Sequence, residues 1–214
     1  MKLNTNSNTY IIIYSTILVV AVAILLSVVF KGLEEKQQKN VELDLQKQVL
    51  YSLNLRDSIG GLTDEEIISF YQTVVTKTDS VADEKGKKKP YVYHATVDGE
   101  PKYVLPLKGQ GMWGGISAFL ALNADKQTVF GVYFNHESET AGLGAEIKDN
   151  VEWQQKFRGK LLFAADGTLA LSVEKGKTDE TTVDAVTGAT VTSTAVSKML
   201  HDQLDKYRDF LSMK

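Results

Sequence analysis

The feature that most constrains this chain is an uncharged run from Tyr10 to Phe30, dominated by Ile, Val, Leu and Ala. As a helix rising ~1.5 Å per residue it covers roughly 30 Å, the thickness of a bilayer's hydrocarbon layer. Backbone polar groups in lipid must be satisfied within the segment, and a helix does that. The alternative is a cleaved leader. Ala21-Val22-Ala23 has the small residues of a cleavage site, but cutting there leaves Ile24 to Phe30 exposed, and only Lys2 precedes the run. The expectation is a short tail over 1–9 and a retained single-pass helix over 10–30, with membrane lipid as a partner. Lys31, Lys36 and Lys39 outnumber Lys2, and by charge alone that puts the rest of the chain in the cytoplasm. So short a tail leaves orientation open.

The chain has 214 residues, room for one ordinary domain beyond the span. A net charge of -3 argues against nucleic-acid binding, which needs a basic stripe to neutralise phosphates. The absence of cysteine excludes disulfides, iron–sulfur ligation by this chain and thiol catalysis. His94, His136 and His201 lie far apart without metal-ligand spacing, so no metal site is expected.

After the span, Leu33 to Leu55 is rich in Glu, Lys and Gln. Val41, Leu45 and Val49 recur at helical spacing, which predicts an amphipathic helix ended by Gly60-Gly61. Thr63 to Glu66 reads as a capping box opening a second helix through about Val75. Asp83 to Pro90 reads as a charged connection, so 31–89 is a helical connecting region. From Tyr91 the pattern becomes strands. Tyr91–Val97 and Lys102–Leu107 flank Asp98-Gly99, a hairpin signal. Ile116–Leu122 and Thr128–Phe134 flank Asn123 to Asp125. Leu161–Ala165 and Thr168–Val173 flank Asp166-Gly167, a further predicted hairpin. Val196, Met199, Leu200, Leu204, Tyr207 and Leu211 then form one apolar stripe on a C-terminal helix. The fold class is α+β, with an antiparallel-sheet domain over 90–214.

Asp184-Ala185-Val186-Thr187-Gly188-Ala189-Thr190, followed by Val191-Thr192-Ser193, is small, hydroxyl-rich and placed just before that helix. A hydroxyl here that carried a bulky anionic group would have to be reachable, with its backbone open and the anion stabilised. Gly188 and Ala189 remove bulk. The helix supplies backbone amides and a positive dipole end. Asp184 could be a recognition or metal-binding carboxylate for a modifying enzyme. The plain alternative is a turn and helix N-cap, where Thr and Ser are preferred. Thr187, Thr192, Ser193 and Thr194 are neighbouring hydroxyls that the residues alone do not separate from Thr190.

Asp-x-x-Thr-Gly-Ala-Thr resembles the flavinylation pattern of the FMN-binding domain family, which is shared by the C-type subunit of sodium-translocating NADH:quinone reductase and the related G-type subunit of Rnf complexes. Glu139, Thr140, Gly142, Leu143 and Gly144 resemble the same family's His-x-Glu-Thr-Pro-Gly-Leu-Gly loop, with Ala141 in place of proline. Gly109 to Gly114 and Trp153 to Lys160 are similar to segments of the quinone-reductase subunit and favour it over its Rnf relative. The resemblance implies FMN held covalently through Thr190, with Thr187, Gly188 and Ala189 in the attachment motif. It also implies Thr140 and Leu143 against the ring and Lys175, of Lys175-Gly176, as a flavin neighbour. Trp113 and Trp153 are expected in the core instead. No residue is assigned a catalytic role: the chain is an electron relay, and the NADH site lies elsewhere in the complex.

The resemblance further implies a sodium-exporting complex that oxidises NADH and reduces ubiquinone or menaquinone. The partners are B-, D-, E- and F-type subunits, with a flavin transferase for maturation. It places the flavin domain on the periplasmic face of a bacterial inner membrane, against the lysine count. A non-redox tethered binding or sensor domain is the reading from another class.

Overall fold

The computed structural model describes residues 7–82 and 88–212. The tail expected over 1–9 and the connection expected over 83–90 thus fall partly outside the described residues. The chain divides into two compact units, Met1–Asp44 and Leu45–Lys214.

The first unit holds most of helix α1 (Asn8–Ser52). Among the described residues this is the one helix long and apolar enough to cross a membrane. Its side chains from Ile11 to Phe30 are exposed. The separate helix expected from Leu33 is instead a continuation of α1. Glu, Lys, Gln and Leu are strong helix formers, and one glycine at Gly32 costs too little to break the run. The expected stripe is buried at its C-terminal end only: Val41 is exposed, whereas Val49, Leu50 and Leu53 are fully enclosed.

In the second unit, α2 (Arg56–Ile59) ends at Gly60. Helix α3 (Asp64–Val74) opens with the expected capping box, Thr63 and Glu66 satisfying each other's backbone N–H groups. Five antiparallel strands follow in sequence order: β1 (Val75–Ala82), β2 (Lys88–Val97), β3 (Glu100–Gln110), β4 (Gly115–Leu122) and β5 (Val129–His136). The β2–β3 turn has Asp98 and Gly99 at φ 53° and 78°, the left-handed pair that a two-residue hairpin requires. Residues 118–122 of β4 are buried without alternation, so both sheet faces are covered. The end of α1 covers one face: Tyr51 packs on Tyr133, and Asn54 Nδ2 donates to the Phe130 carbonyl.

Strand β1 is absent from the sequence reading. Its residues Thr76 to Ser80 are polar on both faces, as an edge strand's are, and give no period-two signal.

Beyond β5 come two short helices, α4 (Glu146–Asp149) and α5 (Val151–Gln155). The hairpin expected over Leu161–Val173 shrinks to a single Phe163–Leu169 bridge. Leu161 and Leu162 give their N–H groups to the Glu180 and Gln127 carbonyls, and Asp166 accepts from Thr168 in a local turn. Across the turn, Ala164 gives its N–H to the Thr168 carbonyl, and Ala170 and Leu171 give theirs to the Leu162 carbonyl, which sustains that one bridge. Instead β6 (Ser172–Glu174) runs parallel to β7 (Thr182–Asp184).

Helix α6 (Thr190–Leu204) packs on β3 and β6 and continues through a 3-10 turn (Asp205–Tyr207) into α7 (Arg208–Ser212). All six residues of the predicted stripe, Val196 to Leu211, are buried. They close a core with Leu105, Leu107, Leu120, Phe134, Trp153 and Phe157. The architecture is α+β, as expected.

Candidate functional site

Three segments meet at one end of the sheet: the β3–β4 connection, the loop between β5 and α4, and the N-terminus of α6. They enclose a cavity of about 370 Å³ lined by Met112, Trp113, Glu139, Thr140, Leu143, Gly144 and the run Gly188 to Thr192. This volume lies within the range of small-molecule sites, about 300–1,000 Å³. Of the residues singled out from sequence, the fold brings Thr140, Leu143, Gly188, Ala189 and Thr190 together here. Thr187 lines a different depression, with Asp184, Trp153 and Glu146. Lys175 is exposed in the turn after β6 and does not line the cavity.

Gly188 sits at φ 78°. A Cβ there would lie 2.9 Å from Leu143 Cδ2, so glycine both permits the turn and lets the two loops touch. Ala189 is the N-cap of α6 and supplies no side-chain cap; Thr190 is the first helical residue. Thr190 is therefore not the cap, and the start of α6 has no side-chain cap hydrogen bond.

Three of the four neighbouring hydroxyls are occupied. Thr192 Oγ1 donates to Glu139 Oε2 at 2.6 Å. Ser193 Oγ accepts from the Val186 N–H at 3.1 Å. Thr194 Oγ1 donates to the Thr190 carbonyl at 2.9 Å. Thr192 and Ser193 are buried, whereas Thr190 is exposed at the cavity edge. Asp184 is also committed: its Oδ1 accepts from the Gly176 N–H at 2.6 Å, and its carbonyl accepts from Trp153 Nε1 at 2.8 Å. One oxygen of this carboxylate thus closes the turn carrying Lys175.

Glu139 was legible only as a member of the resembling loop, with no role attached. Only 7% of it is exposed, and Oε1 accepts from the Trp113 N–H at 2.9 Å. Burial works against its ionisation, but the Thr192 hydroxyl and the N–H groups of Trp113, Met112 and Gly114 outweigh it. Its carboxyl is held below the usual range. The two tryptophans part company: Trp153 is in the core as expected, but Trp113 is 64% exposed and forms a wall of the cavity. Its segment is a glycine-rich turn at the sheet's end, where no further layer of the described residues covers it.

Residues 111–205 match the FMN-binding domain family. The chain is 40% identical over 122 residues to the C-type subunit of the Na(+)-translocating NADH-quinone reductase of Pseudomonas aeruginosa, covering 54% of this chain and 46% of that protein. It is 41% identical over 132 residues to the corresponding subunit of Neisseria meningitidis serogroup B, covering 58% and 50%. The matches thus span half or less of these relatives' own length. The crystal structure of the same subunit from Parabacteroides distasonis is similar at a TM-score of 0.74 and 32% identity, over 85% of this chain and 98% of that one. Shewanella oneidensis NqrC shares the fold at a TM-score of 0.58 and 24% identity, over 82% of this chain and 98% of that one. Because the likeness takes in almost the whole of a solved relative, this chain belongs to the family of C-type subunits of the Na(+)-translocating NADH-quinone reductases.

Proposed function

We propose that Thr190 carries FMN through a phosphoester and that the chain relays electrons within a membrane NADH:quinone reductase. The observation that carries this reading is the state of one hydroxyl. Thr190 is exposed and borders the cavity with its hydroxyl unengaged, while those of Thr192, Ser193 and Thr194 are taken. Thr187 is also exposed but lies outside the cavity lining.

The residues present fit the group. Trp113, Met112, Leu143 and Val191 offer apolar surfaces against which a planar ring can pack. The uncapped amides at the start of α6, with the positive end of its dipole, hold a phosphate anion. A bound flavin supplies one- and two-electron transfer, which no side chain here provides. The chain's own contribution is anchoring, orientation and an apolar packing surface. Lys175, expected beside the ring, faces solvent and is left out of the proposed site.

The proposal extends to the assembly. The partners are B-, D-, E- and F-type subunits, with a flavin transferase for maturation, and the flavin domain stands on the periplasmic face. The span between Tyr10 and Phe30 contains no carboxylate, so sodium is expected to pass through other subunits.

The test is co-expression with a flavin transferase, followed by intact mass and in-gel fluorescence after denaturation. The native chain and Thr187→Ala gain one FMN; Thr190→Ala gains none. Fluorescence that survives Thr190→Ala would refute the anchor.

A further inference from the structure

Among the described residues that line the cavity, Glu139 is the one charged side chain, and it is buried. It reaches two walls at once. Oε1 takes the N–H of Trp113 in the β3–β4 connection, and Oε2 takes the hydroxyl of Thr192 in the first turn of α6. Its own backbone belongs to the third wall, immediately before Thr140, and its N–H is given to His136 Nδ1 at 3.2 Å. The glycines around it leave space for the carboxylate. A Cβ on Gly111 would come within 2.6 Å of Oε1, and one on Gly144 within 2.6 Å of Thr192 Oγ1. Charge-assisted hydrogen bonds of this kind are about twice as strong as neutral ones. The three segments are far apart in sequence and meet at this carboxylate.

We propose that Glu139 is a positioning residue that clasps the Trp113 turn to the start of α6, and that its fixed negative charge disfavours reduction of the flavin carried on Thr190. The second half rests on the FMN reading above; the first does not. Adding electrons to a flavin builds negative charge, and a buried carboxylate beside the cavity opposes it. No cation among the described residues lines the cavity to offset it. The donors that hold Glu139 ionised keep that charge in place rather than removing it.

The two halves predict different behaviour for two variants of the full chain. Glu139→Gln removes the charge and keeps the shape. Thr192→Val keeps the charge and removes one leg of the clasp. In the chain made without transferase, iodide quenching of Trp113 emission should rise in both, measured with tryptophan-selective excitation in a Trp153→Phe background that leaves Trp113 as the only tryptophan. In the chain made with transferase, the flavin is read on the fraction of each variant that carries FMN, taken from its intact mass. The flavin midpoint potential should then shift upward in Glu139→Gln and remain near the native value in Thr192→Val.

An unchanged potential in loaded Glu139→Gln overturns the electrostatic role. A Trp113 signal unchanged in both unloaded variants overturns the clasp. If Glu139→Gln fails to fold while Thr192→Val folds, Glu139 is a folding residue and the proposal is wrong. Failure of the FMN reading would be seen separately, as a native chain whose mass gains nothing, and the Trp113 measurement would still decide the clasp.

Discussion

Thr190 and Thr192 are the same residue type two positions apart, and their surroundings give them opposite uses. Thr190 stands exposed at the cavity edge; Thr192 is 3% exposed with its hydroxyl on Glu139. Substituting Thr190 by Ala should move stability by no more than about 0.5 kcal/mol, as for an exposed site without side-chain partners. Thr192→Val leaves a buried carboxylate short of a donor and should cost about 1–3 kcal/mol. Urea unfolding of the two variants side by side checks the contrast. Glu139 adds a pH dependence of known sign. Its folded-state pKa is lowered, so its stabilisation is complete above the ordinary carboxylate range, about pH 4.3, and fades as pH falls through the folded value. The difference in melting temperature between the native chain and Glu139→Gln should therefore be largest near neutrality and shrink in acid. A difference that grew as pH fell would contradict this.

Helix α6 lies against β3 because Gly109 lets it. A Cβ at Gly109 would fall 2.7 Å from Met199 Cβ and 2.9 Å from Met199 Cγ. These atoms sit close to the helix backbone, so the helix itself must move. Gly109→Ala should destabilise by about 1–3 kcal/mol. A thermal scan should show it as a melting temperature lower by about 2–4 °C for each kcal/mol lost. A melting point unchanged from the native one would mean the helix–sheet contact is looser than it looks. Elements with a local cause were readable in advance: the capping box of α3, the Asp98-Gly99 turn, the apolar stripe of α6. Strands β1 and β7 and the parallel pairing of β6 were not, because their pairing partners decide them. An edge strand polar on both faces has no periodicity, and three-residue parallel strands are too short to show any.

The boundary between the molecule's two compact units falls within α1, at Asp44 and Leu45. The second unit retains the end of the helix, with Val49, Leu50 and Leu53 fully buried. A fragment starting at Leu45 should therefore be soluble and cooperative in unfolding. One starting at Gly60 loses those three side chains, each contributing about 1.5–3 kcal/mol of burial, and should melt far lower or not fold. Circular dichroism melts of both fragments measure this. The full chain should stay with membranes in carbonate; release would contradict the reading of Tyr10–Phe30.

By itself, the sequence determined what depends on neighbours along the chain. It carries the long apolar helix, the Asp98-Gly99 hairpin, the α+β class and the segments resembling a flavin site. Tertiary structure alone decided which threonine is available, that Trp113 lines a cavity while Trp153 fills the core, that Lys175 faces solvent, and that Glu139 joins three distant segments. Exposure and hydrogen-bond partnership belong to residues brought together from far apart, and no local pattern encodes them.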